Sequence, residues 1–456
     1  MLLDQTRLEN YYFEQITTIP HVSKNEKQLS DYVVSIAKKL GYEYDQDNLY
    51  NLTVIVLASA NYENQDAVLL SGHMDMVGTK TGDSSFNFDT DALNIYLEGN
   101  ILKAKETTLG ADDGVAVAYM LSLMSEADRF DHPRLECVFT VQEEIGCNGS
   151  RFVDTSKLQA KKMIGLDTVG EHQITVGNYC SDRVDFVKDL NWIHQQQTGY
   201  TLTLTGFDAP VVTTKKLTYK DNAILYTVHW LKDQDVQIVS IQSGKGENFP
   251  SQEITISLAI DQNQLSSLLA LLDDFVKEEK KEISIDRYLT TKDSQQLLSM
   301  LNDLPNGPLA TQKEEMLSSF LVGIACIKNN QIQIVGSTRC KNNAYNQSVL
   351  NQLKGISQKY DLRISNSVRY RSWEYQEHSP IKEVYRQLVK ERWNKDLEEV
   401  ICPGGLEISD FLYKMSDLDV LSMGQMAGNF HVPGEWLDID SFNRTYDLLK
   451  VLLTRL

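Results

Sequence analysis

The sequence lacks the features that mark membrane-spanning and nucleic-acid-binding proteins. Across its 456 residues, no apolar stretch approaches the ~20 residues that a membrane-spanning helix needs. Basic residues are in the minority, 44 against 63 acidic ones, and the net charge of −19 argues against nucleic acid as a partner because phosphate binding needs basic patches. Neither a short-period repeat nor a low-complexity tract is present, which argues against a solenoid or a disordered array.

Cysteine is scarce, and its positions are scattered. No two of the six cysteines form a C-x-x-C pair, and this spacing is typical of reduced thiols in a cytoplasmic protein. The first residues carry an acid where a signal peptide has basic residues, and no long apolar core follows, so we expect no secretory signal and a cytoplasmic location. The cysteines are Cys137, Cys147, Cys180, Cys326, Cys340 and Cys402.

Composition and patterning predict two domains of mixed α/β character. The chain is 42% hydrophobic and 23% charged, and its length exceeds what one core normally serves. Up to about residue 180, strand-like runs alternate with helical stripes, which implies a largely parallel sheet. Alternating strands and helical stripes then indicate a separate α+β unit, and from Pro380 the pattern returns to helix and buried strand.

Two helices can be placed from their start and stop signals. Ser23–Glu26 has the form of a capping box. A helical stripe over Leu29–Leu40 follows, and Gly41 is suited to end that helix. A second stripe at 117–124 places Asp112 at a helix N-terminus, where the helix dipole stabilises a negative charge.

A histidine and an aspartate lie two residues apart at the end of a predicted buried strand. His73 and Asp75 follow the apolar run 67–70, and their spacing points both side chains the same way. An imidazole and a carboxylate aimed together suit a divalent metal ion such as zinc. Taken alone, however, such a pair is more often incidental.

Four further segments carry acidic groups or an imidazole in chain order. Most of these groups come just past an apolar run or at a helix start, which is the edge of an open α/β sheet where sites form. Glu143 and Glu144 alone would be interpreted as a solvated acidic turn, but the segments together predict a metal site. The additional candidates are Asp112, Glu143, Glu144, Asp167 and His431.

This combination resembles the dinuclear zinc exopeptidases of the carnosinase, carboxypeptidase G and aminoacyl-histidine dipeptidase family, and most of all their bacterial aminoacyl-histidine dipeptidase (peptidase D) branch. Residues 19–24, 107–114 and 405–407 fit that branch, and the resemblance spans nearly the whole chain. It implies an α/β metal-binding catalytic domain with a mixed, largely parallel sheet, interrupted by an inserted α+β lid of ferredoxin-like units. We expect the catalytic domain at 1–180 and 378–456 and the lid at 181–377.

The resemblance also implies a ligand set for two divalent ions. The metal is expected to be zinc, with manganese and cobalt as open alternatives. His73 would bind one ion and His431 the other, Asp112 would bridge both, and Glu144 and Asp167 would complete the two coordination spheres. Two ions about 3.5–4 Å apart can polarise a scissile carbonyl and activate water at neutral pH.

Two further acids have implied catalytic roles. Glu143 would be the general base, which takes a proton from the attacking water and later gives it to the leaving amine. Asp75 would orient His73 through the ring nitrogen that faces away from the metal. Neighbouring glutamates can divide the tasks of base and ligand because adjacent side chains diverge.

Three residues are candidates for substrate binding. Arg339 resembles the family arginine that meets the substrate carboxylate, and a guanidinium suits this because it bonds a carboxylate in two places. The alternative is a strand arginine that pairs with a neighbouring acid. Asn248 aligns with a family asparagine that contacts substrate. Glu407 would bind the free substrate amine or, equally, cap the helix that follows.

The chain departs from the family at two positions that face substrate. The segment 206–211 lacks the family histidine that helps to hold the oxyanion, and Pro403 stands where the dipeptidases have another histidine. Loss of an oxyanion donor typically costs about 2.7–4 kcal/mol of transition-state stabilisation. Whether these changes abolish or retune activity stays open.

The expected function is a cytoplasmic dizinc metallopeptidase that cleaves short peptides, as an aminoacyl-histidine or broader dipeptidase does. An N-acyl or carbamoyl amino-acid amidohydrolase is a second enzyme hypothesis. A divergent, catalytically weak homologue that binds peptide or metal is the hypothesis from another class. The expected partner is a short peptide, with no nucleic acid or membrane, and a homodimer is left open.

Overall fold

The computed structural model describes residues 2–207, 217–313 and 315–456, and these residues form two compact units. One unit consists of residues 1–178 together with 373–456, and the other of residues 179–372. The chain therefore leaves the first unit once and returns to it. Among the described residues, none of the helices is both long and apolar enough to cross a bilayer.

The first unit is built on an eight-stranded mixed sheet. Its central pairs are parallel, including those that Val68–His73 makes on both sides, while the pairs near one edge are antiparallel. The α/β class and the mixed sheet predicted from the sequence are confirmed. In spatial order the strands are Glu43–Gln46, Leu52–Val56, Leu135–Thr140, Val68–His73, Lys162–Gly165, Asp419–Met423, Gln173–Asn178 and Glu398–Cys402.

Helices cover this sheet, and a four-stranded sheet lies beside it. The small sheet has the order Ala427–Gly428, Trp436–Asp438, Ile101–Ala104 and Ile95–Glu98. The helices are Leu8–Ile16, Lys27–Leu40, Ala111–Glu126, Asn148–Phe152, Pro380–Trp393, Ile408–Lys414 and Ile439–Arg455, with a short 3₁₀ turn at Ala127–Arg129.

The core of this unit brings the two ends of the chain together. Helix Ile439–Arg455 packs on helix Ala111–Glu126, where the rings of Tyr119 and Phe442 stack with centroids 4.9 Å apart. The Tyr119 hydroxyl donates a 2.6 Å hydrogen bond to the Phe442 carbonyl oxygen. Because these aromatic side chains are fully buried, the contact holds the helix Ile439–Arg455 against the helix Ala111–Glu126.

Close contact between strand and helix sets the position of the first ligands. All six residues of Val68–His73 are buried, as its apolar sequence predicts. A Cβ atom on Gly72 would lie 2.2 Å from the Ala116 Cβ, so only glycine lets the helix Ala111–Glu126 approach this strand so closely. Asp112 and Asp113 are joined by a cis peptide bond and have non-helical dihedral angles, so the regular helix begins after them.

The capping box predicted at Ser23–Glu26 is wrong. Glu26 is the N-cap residue of the helix Lys27–Leu40, but no side chain caps it. The Ser23 hydroxyl instead donates to Asp75 Oδ2 at 2.7 Å, and Glu26 Oε1 accepts from the Gln142 N–H at 3.0 Å. The side chains of Ser23 and Glu26 therefore both bond to residues that are distant in the sequence. At the other end, Gly41 ends the helix in the left-handed conformation, as predicted.

The second unit is built on a nine-stranded sheet whose pairs are all antiparallel. Helices on it enclose a separate core of apolar side chains. In spatial order its strands are Lys277–Tyr288, Ile193–Thr205, Ile254–Leu258, Ile238–Ser243, Glu315–Lys328, Gln331–Cys340, Ser181–Asp189 and Arg363–Tyr370, and Gly307–Gln312 also pairs with Glu315–Lys328. Its helices are Ala223–Leu231, Gln262–Leu269, Thr291–Asp303 and Asn343–Tyr360, with a 3₁₀ turn at Tyr219–Asp221.

Candidate metal centre

Asp112 lies between the two histidines predicted as metal ligands. Its Oδ1 is 3.0 Å from His73 Nε2, and its Oδ2 is 3.2 Å from His431 Nε2. His73 ends a buried strand, whereas His431 lies in the loop before Trp436–Asp438. Each carboxylate oxygen of Asp112 thus faces a different imidazole, which is the arrangement that a carboxylate bridging two metal ions requires.

The remaining predicted ligands join these three residues. Glu144 Oε2 is 3.1 Å from His431 Nε2, and the Glu144 side chain is only 6% exposed. Potential ligand atoms of His73, Asp112 and Glu144 lie within 4.8 Å of one another, and so do those of His73, Asp113 and Asp167. The structure therefore brings together all five residues that the sequence predicted, and it adds Asp113.

The donor set fits divalent metal ions. Two ligands of one tetrahedral zinc ion lie about 3.3 Å apart, since zinc binds nitrogen and oxygen at about 2.0–2.2 Å. The 3.0–3.2 Å separations around Asp112 match that spacing. Glu144 Oε1 is also buried without a hydrogen-bond partner among the described residues. A cation would satisfy this atom, because a buried carboxylate oxygen is costly to leave without a partner.

The pKa shifts in this cluster also favour a metal site. Burial and the charge of Asp112 raise the pKa of Asp167 to about 8. Burial and the charge of Asp167 also raise the pKa of Asp113. Hydrogen bonds to Asp112 and Glu144 raise the pKa of His431 to about 10. So many buried carboxylates in one place favour protons or cations, which is how a metal site behaves before its ion binds.

The metal-free protein should therefore lose stability as the pH rises. The folded-state pKa of Asp167 is raised, so its favourable contribution is complete below its ordinary pKa and is lost as the pH rises through about 8. We expect protein treated with a chelator to melt at a lower temperature at pH 8.5 than at pH 5.5. Asp167→Asn should flatten this dependence in thermal melts and should also bind less metal. A pH dependence equal in variant and wild type would contradict the assignment.

Glu143, the residue expected to be the general base, is buried beside the predicted ligands. It is 8% exposed, and its Oε1 accepts a 3.0 Å hydrogen bond from the Cys147 thiol. Burial raises the pKa of the Glu143 carboxyl well above its ordinary value, and the charges of Asp167 and Glu144 raise it further. Among the described residues, neither of the two groups of potential ligands includes Glu143. Its carboxylate is therefore available for proton transfer.

Asp75 contacts His73 and also the loop that carries the two glutamates. His73 Nδ1 lies 2.8 Å from the Asp75 carbonyl oxygen but 3.6 Å from its carboxylate. The Asp75 carboxylate instead accepts hydrogen bonds from the backbone N–H groups of Glu143 and Glu144, at 2.9 and 3.3 Å. The backbone of Asp75 thus orients the imidazole, while its side chain holds the loop that carries the two glutamates.

Glu435 is a positioning residue that the sequence analysis missed. Its carboxylate is 2% exposed and accepts backbone N–H groups from Leu109, Gly110, Ala111 and Asp112 at 2.7, 3.0, 2.8 and 3.3 Å. These contacts tie the loop after His431 to the segment that carries Asp112. No spacing rule marks an acid that bonds only to the backbone, so the sequence holds no signal for this role.

Replacement of Glu435 by glutamine should weaken metal binding although Glu435 is not a ligand. A glutamine offers one acceptor oxygen to four donors, so the loops of His431 and Asp112 lose their connection. Removal of a group that orients ligands typically costs about 10–100-fold in metal affinity. Titration with zinc against a competing chelator measures the change, and Glu398→Gln on an exposed strand position is the matched control. An affinity equal to that of the control would contradict this role.

The substrate-binding candidates fall in both units. Glu407 is buried and accepts a hydrogen bond from the Thr140 hydroxyl, while its Oε1 has no partner among the described residues. Glu407 is the N-cap residue of the helix Ile408–Lys414, but its side chain makes no capping hydrogen bond, so the capping role considered for its carboxylate is wrong. In the second unit, Arg339 lies on a strand opposite Ser319, and Asn248 is exposed in a loop.

Of the two departures from the family pattern, the structure describes Pro403 but only the first two residues of the segment 206–211. Pro403 is exposed and directly follows the strand Glu398–Cys402. Most of the segment 206–211, from Asp208 onward, lies outside the described residues, so the missing lid histidine has no structural counterpart here.

Comparison with known proteins adds a family and a fold. The sequence profile of peptidase family M20/M25/M40 matches residues 69–455. The cytosol non-specific dipeptidase of Escherichia coli strain K12 is 27% identical over 97% of this chain and 96% of its own length. The crystal structure of aminoacylhistidine dipeptidase from Vibrio alginolyticus superposes with a TM-score of 0.77 at 23% identity, covering 98% of this chain and 96% of that one. A Bacillus subtilis protein described as a dinuclear metal binding peptidase from the M20 family gives a TM-score of 0.51 at 12% identity, with 99% of both chains covered.

Proposed function

Because the chain belongs to peptidase family M20/M25/M40, we propose that it hydrolyses dipeptides with two divalent metal ions and a glutamate base. The family expected from the sequence is confirmed, and its chemistry is the hydrolysis of peptide bonds. One observation carries the proposal: the two oxygens of Asp112 face different histidines at 3.0 and 3.2 Å. The relatives named as dipeptidases support the choice of a dipeptide.

In this proposal the ligands divide into two sets that share Asp112. His73 and Asp167 would hold one ion, and Glu144 and His431 the other. Zinc is proposed first because the donors are imidazoles and carboxylates, with manganese and cobalt as alternatives. The ions would supply Lewis-acid polarisation of the scissile carbonyl and would lower the pKa of water.

The protein's own groups would move the proton and hold the chain in place. Glu143 would take a proton from the attacking water and deliver it to the leaving amine, which its buried carboxylate and raised pKa favour. The Asp75 carboxylate would keep Glu143 in position through the backbone N–H that it accepts.

Substrate recognition would use both termini of the dipeptide. Glu407 would accept the free amine at its unpartnered Oε1. Arg339 would bind the free carboxylate, for which a guanidinium is suited by its paired donors. Asn248 would contact the substrate. These three assignments rest on the resemblance of the motifs and on the chemistry of the groups.

The proposal extends to the domains and the cell. Residues 1–180 and 378–456 would form the catalytic domain and residues 181–377 the lid. The six cysteines contain no C-x-x-C pair, which agrees with a reducing compartment, and we propose a cytoplasmic enzyme. The homodimer stays a hypothesis for sedimentation analysis.

Metal analysis and a substrate panel test the proposal together. Gently purified protein should hold about two divalent ions per chain by elemental analysis, and it should cleave dipeptides faster than tetrapeptides or N-acetylated dipeptides. A metal content near zero that zinc, manganese and cobalt do not restore would exclude the metal centre. Equal rates on capped and free dipeptides would favour the amidohydrolase instead.

A further inference from the structure

A cavity of about 290 Å³ opens beside the metal centre within the first unit. Three of its lining residues are the acids Asp112, Asp113 and Asp167, which belong to the metal centre. The other described lining residues carry no charge. They are mostly apolar and include Val169, Val400, Ile401, Pro403, Leu406 and Phe430. The cavity is therefore contiguous with the groups that would act on the peptide bond.

The size and lining of this cavity define what it accepts. An apolar cavity of about 150 Å³ is known to bind benzene, so 290 Å³ holds a branched aliphatic or an aromatic side chain. A carboxylate placed there would lose its water, and no lysine or arginine among the described lining residues would compensate for that loss. The cavity thus favours apolar side chains and excludes acidic ones.

The neighbouring acid indicates which end of the substrate enters. Glu407 follows Leu406, which lines the cavity, and the charges of Glu407 and Asp167 interact. Glu407 is buried and does not itself line the cavity, but its carboxylate lies directly behind the lining and its negative charge favours a substrate ammonium there. A substrate carboxylate would be repelled there. The residue beside the cavity is therefore the one that bears the free amine.

We propose that this cavity, called here the side-chain pocket, binds the side chain of the N-terminal residue of a dipeptide and selects for apolar side chains up to the size of phenylalanine. This inference rests on the proposed dipeptidase function and adds the substrate class. The pocket lies against Asp112 and Asp167, so a side chain seated in it places the adjoining peptide carbonyl at the metal centre. The pocket therefore acts on kcat/KM and not on binding alone.

A set of near-isosteric dipeptides tests the pocket on the wild-type, metal-loaded enzyme. Leucine, asparagine and aspartate have side chains of similar size, so Leu-Gly, Asn-Gly and Asp-Gly separate polarity and charge from volume. We expect kcat/KM for Leu-Gly and Phe-Gly to exceed that for Asp-Gly by at least about 10-fold. The reversed series, Gly-Leu, Gly-Asn and Gly-Asp, should discriminate less. A ratio near one, or a larger ratio in the reversed series, would overturn the proposal.

A charge placed in the pocket gives the complementary test. Val400 is half-buried in the lining, and Val400→Glu should lower kcat/KM for Leu-Gly by at least about 10-fold while it raises the relative rate on Lys-Gly. The matched control is Val451→Glu, on a helix position that is 37% exposed and outside the lining. Metal content and thermal melts of each variant show whether the fold is intact. If Val400→Glu does not fold, the wild-type series decides alone.

The outcomes separate this inference from the proposed function. If no dipeptide is cleaved although two metal ions are bound, the dipeptidase function fails. If all dipeptides are cleaved at rates that do not depend on the N-terminal side chain, the dipeptidase function stands and the side-chain pocket fails.

Discussion

Glu143→Gln should abolish dipeptide hydrolysis and leave the metal content unchanged. A glutamine has nearly the same shape but cannot accept and return a proton, and positioned proton transfer contributes about 10²–10⁴-fold to a rate. The side chain is buried and hydrogen-bonded to the Cys147 thiol, so the substitution disturbs little else. Steady-state kinetics on a dipeptide together with elemental analysis would show a fall in kcat with about two ions retained.

The neighbouring glutamate supplies the informative contrast. Glu144 lies 3.1 Å from His431 Nε2 and is proposed as a ligand, so Glu144→Gln should lower metal occupancy first and activity as a consequence. Glu63→Gln, at an exposed position, controls for the loss of one negative charge. If both active-site variants lost metal equally, or if Glu143→Gln stayed active, the division of roles would be wrong.

Asp112→Asn should remove both metal ions at once. The aspartate is the group that faces both histidines, and an asparagine has only one acceptor oxygen and no charge. We expect fewer than about half of the ions to remain, a loss of activity at least as large as that of Glu143→Gln, and no recovery at moderate zinc concentrations. Elemental analysis after dialysis gives the stoichiometry.

An exposed aspartate serves as the control for this variant. Asp440→Asn removes the same charge from the surface of the helix Ile439–Arg455 and should leave metal and activity unchanged. Retention of one tightly bound ion in Asp112→Asn would mean that one ligand set stands without the bridge, and the shared carboxylate would then not be essential.

The positions of several site residues were predictable because the local sequence pattern shows where strands end and helices begin. The strand Val68–His73 is a continuous apolar run, and a strand buried on both faces needs such a run, so the position of His73 at its end follows. Asp112 and Asp113 lie where the helical stripe begins, and the acid pair of Glu143 and Glu144 follows another buried strand, Leu135–Thr140. Because parallel strands end at the same edge of a sheet, the side chains that follow them lie close together.

Other roles could not be predicted because the competing partners are far apart in the chain. Ser23 has the local form of a helix cap but bonds to Asp75, more than fifty residues away. Asp75 lies two residues from His73, but this spacing does not predict that its carboxylate also accepts two backbone N–H groups from the loop of Glu143 and Glu144. Local rules consider only hydrogen-bond partners that are close in the sequence. In the folded chain, the partner is whichever group lies within hydrogen-bonding distance.

Apolar periodicity and strand ends are local properties of the chain, so they were enough to predict the α/β class with its mixed sheet. The insertion of one unit into the other and the set of metal ligands were expected from the resemblance of motifs to a family, and local periodicity alone does not predict them. Tertiary packing sets which oxygen of Asp112 faces which histidine, brings the Glu435 carboxylate to four backbone N–H groups, and leaves a mostly apolar cavity beside the acids of the cluster. Most of these features depend on the packing of segments that lie more than 200 residues apart in the chain. Packing of that kind is set by the shape of the whole core and leaves no periodic trace in the sequence.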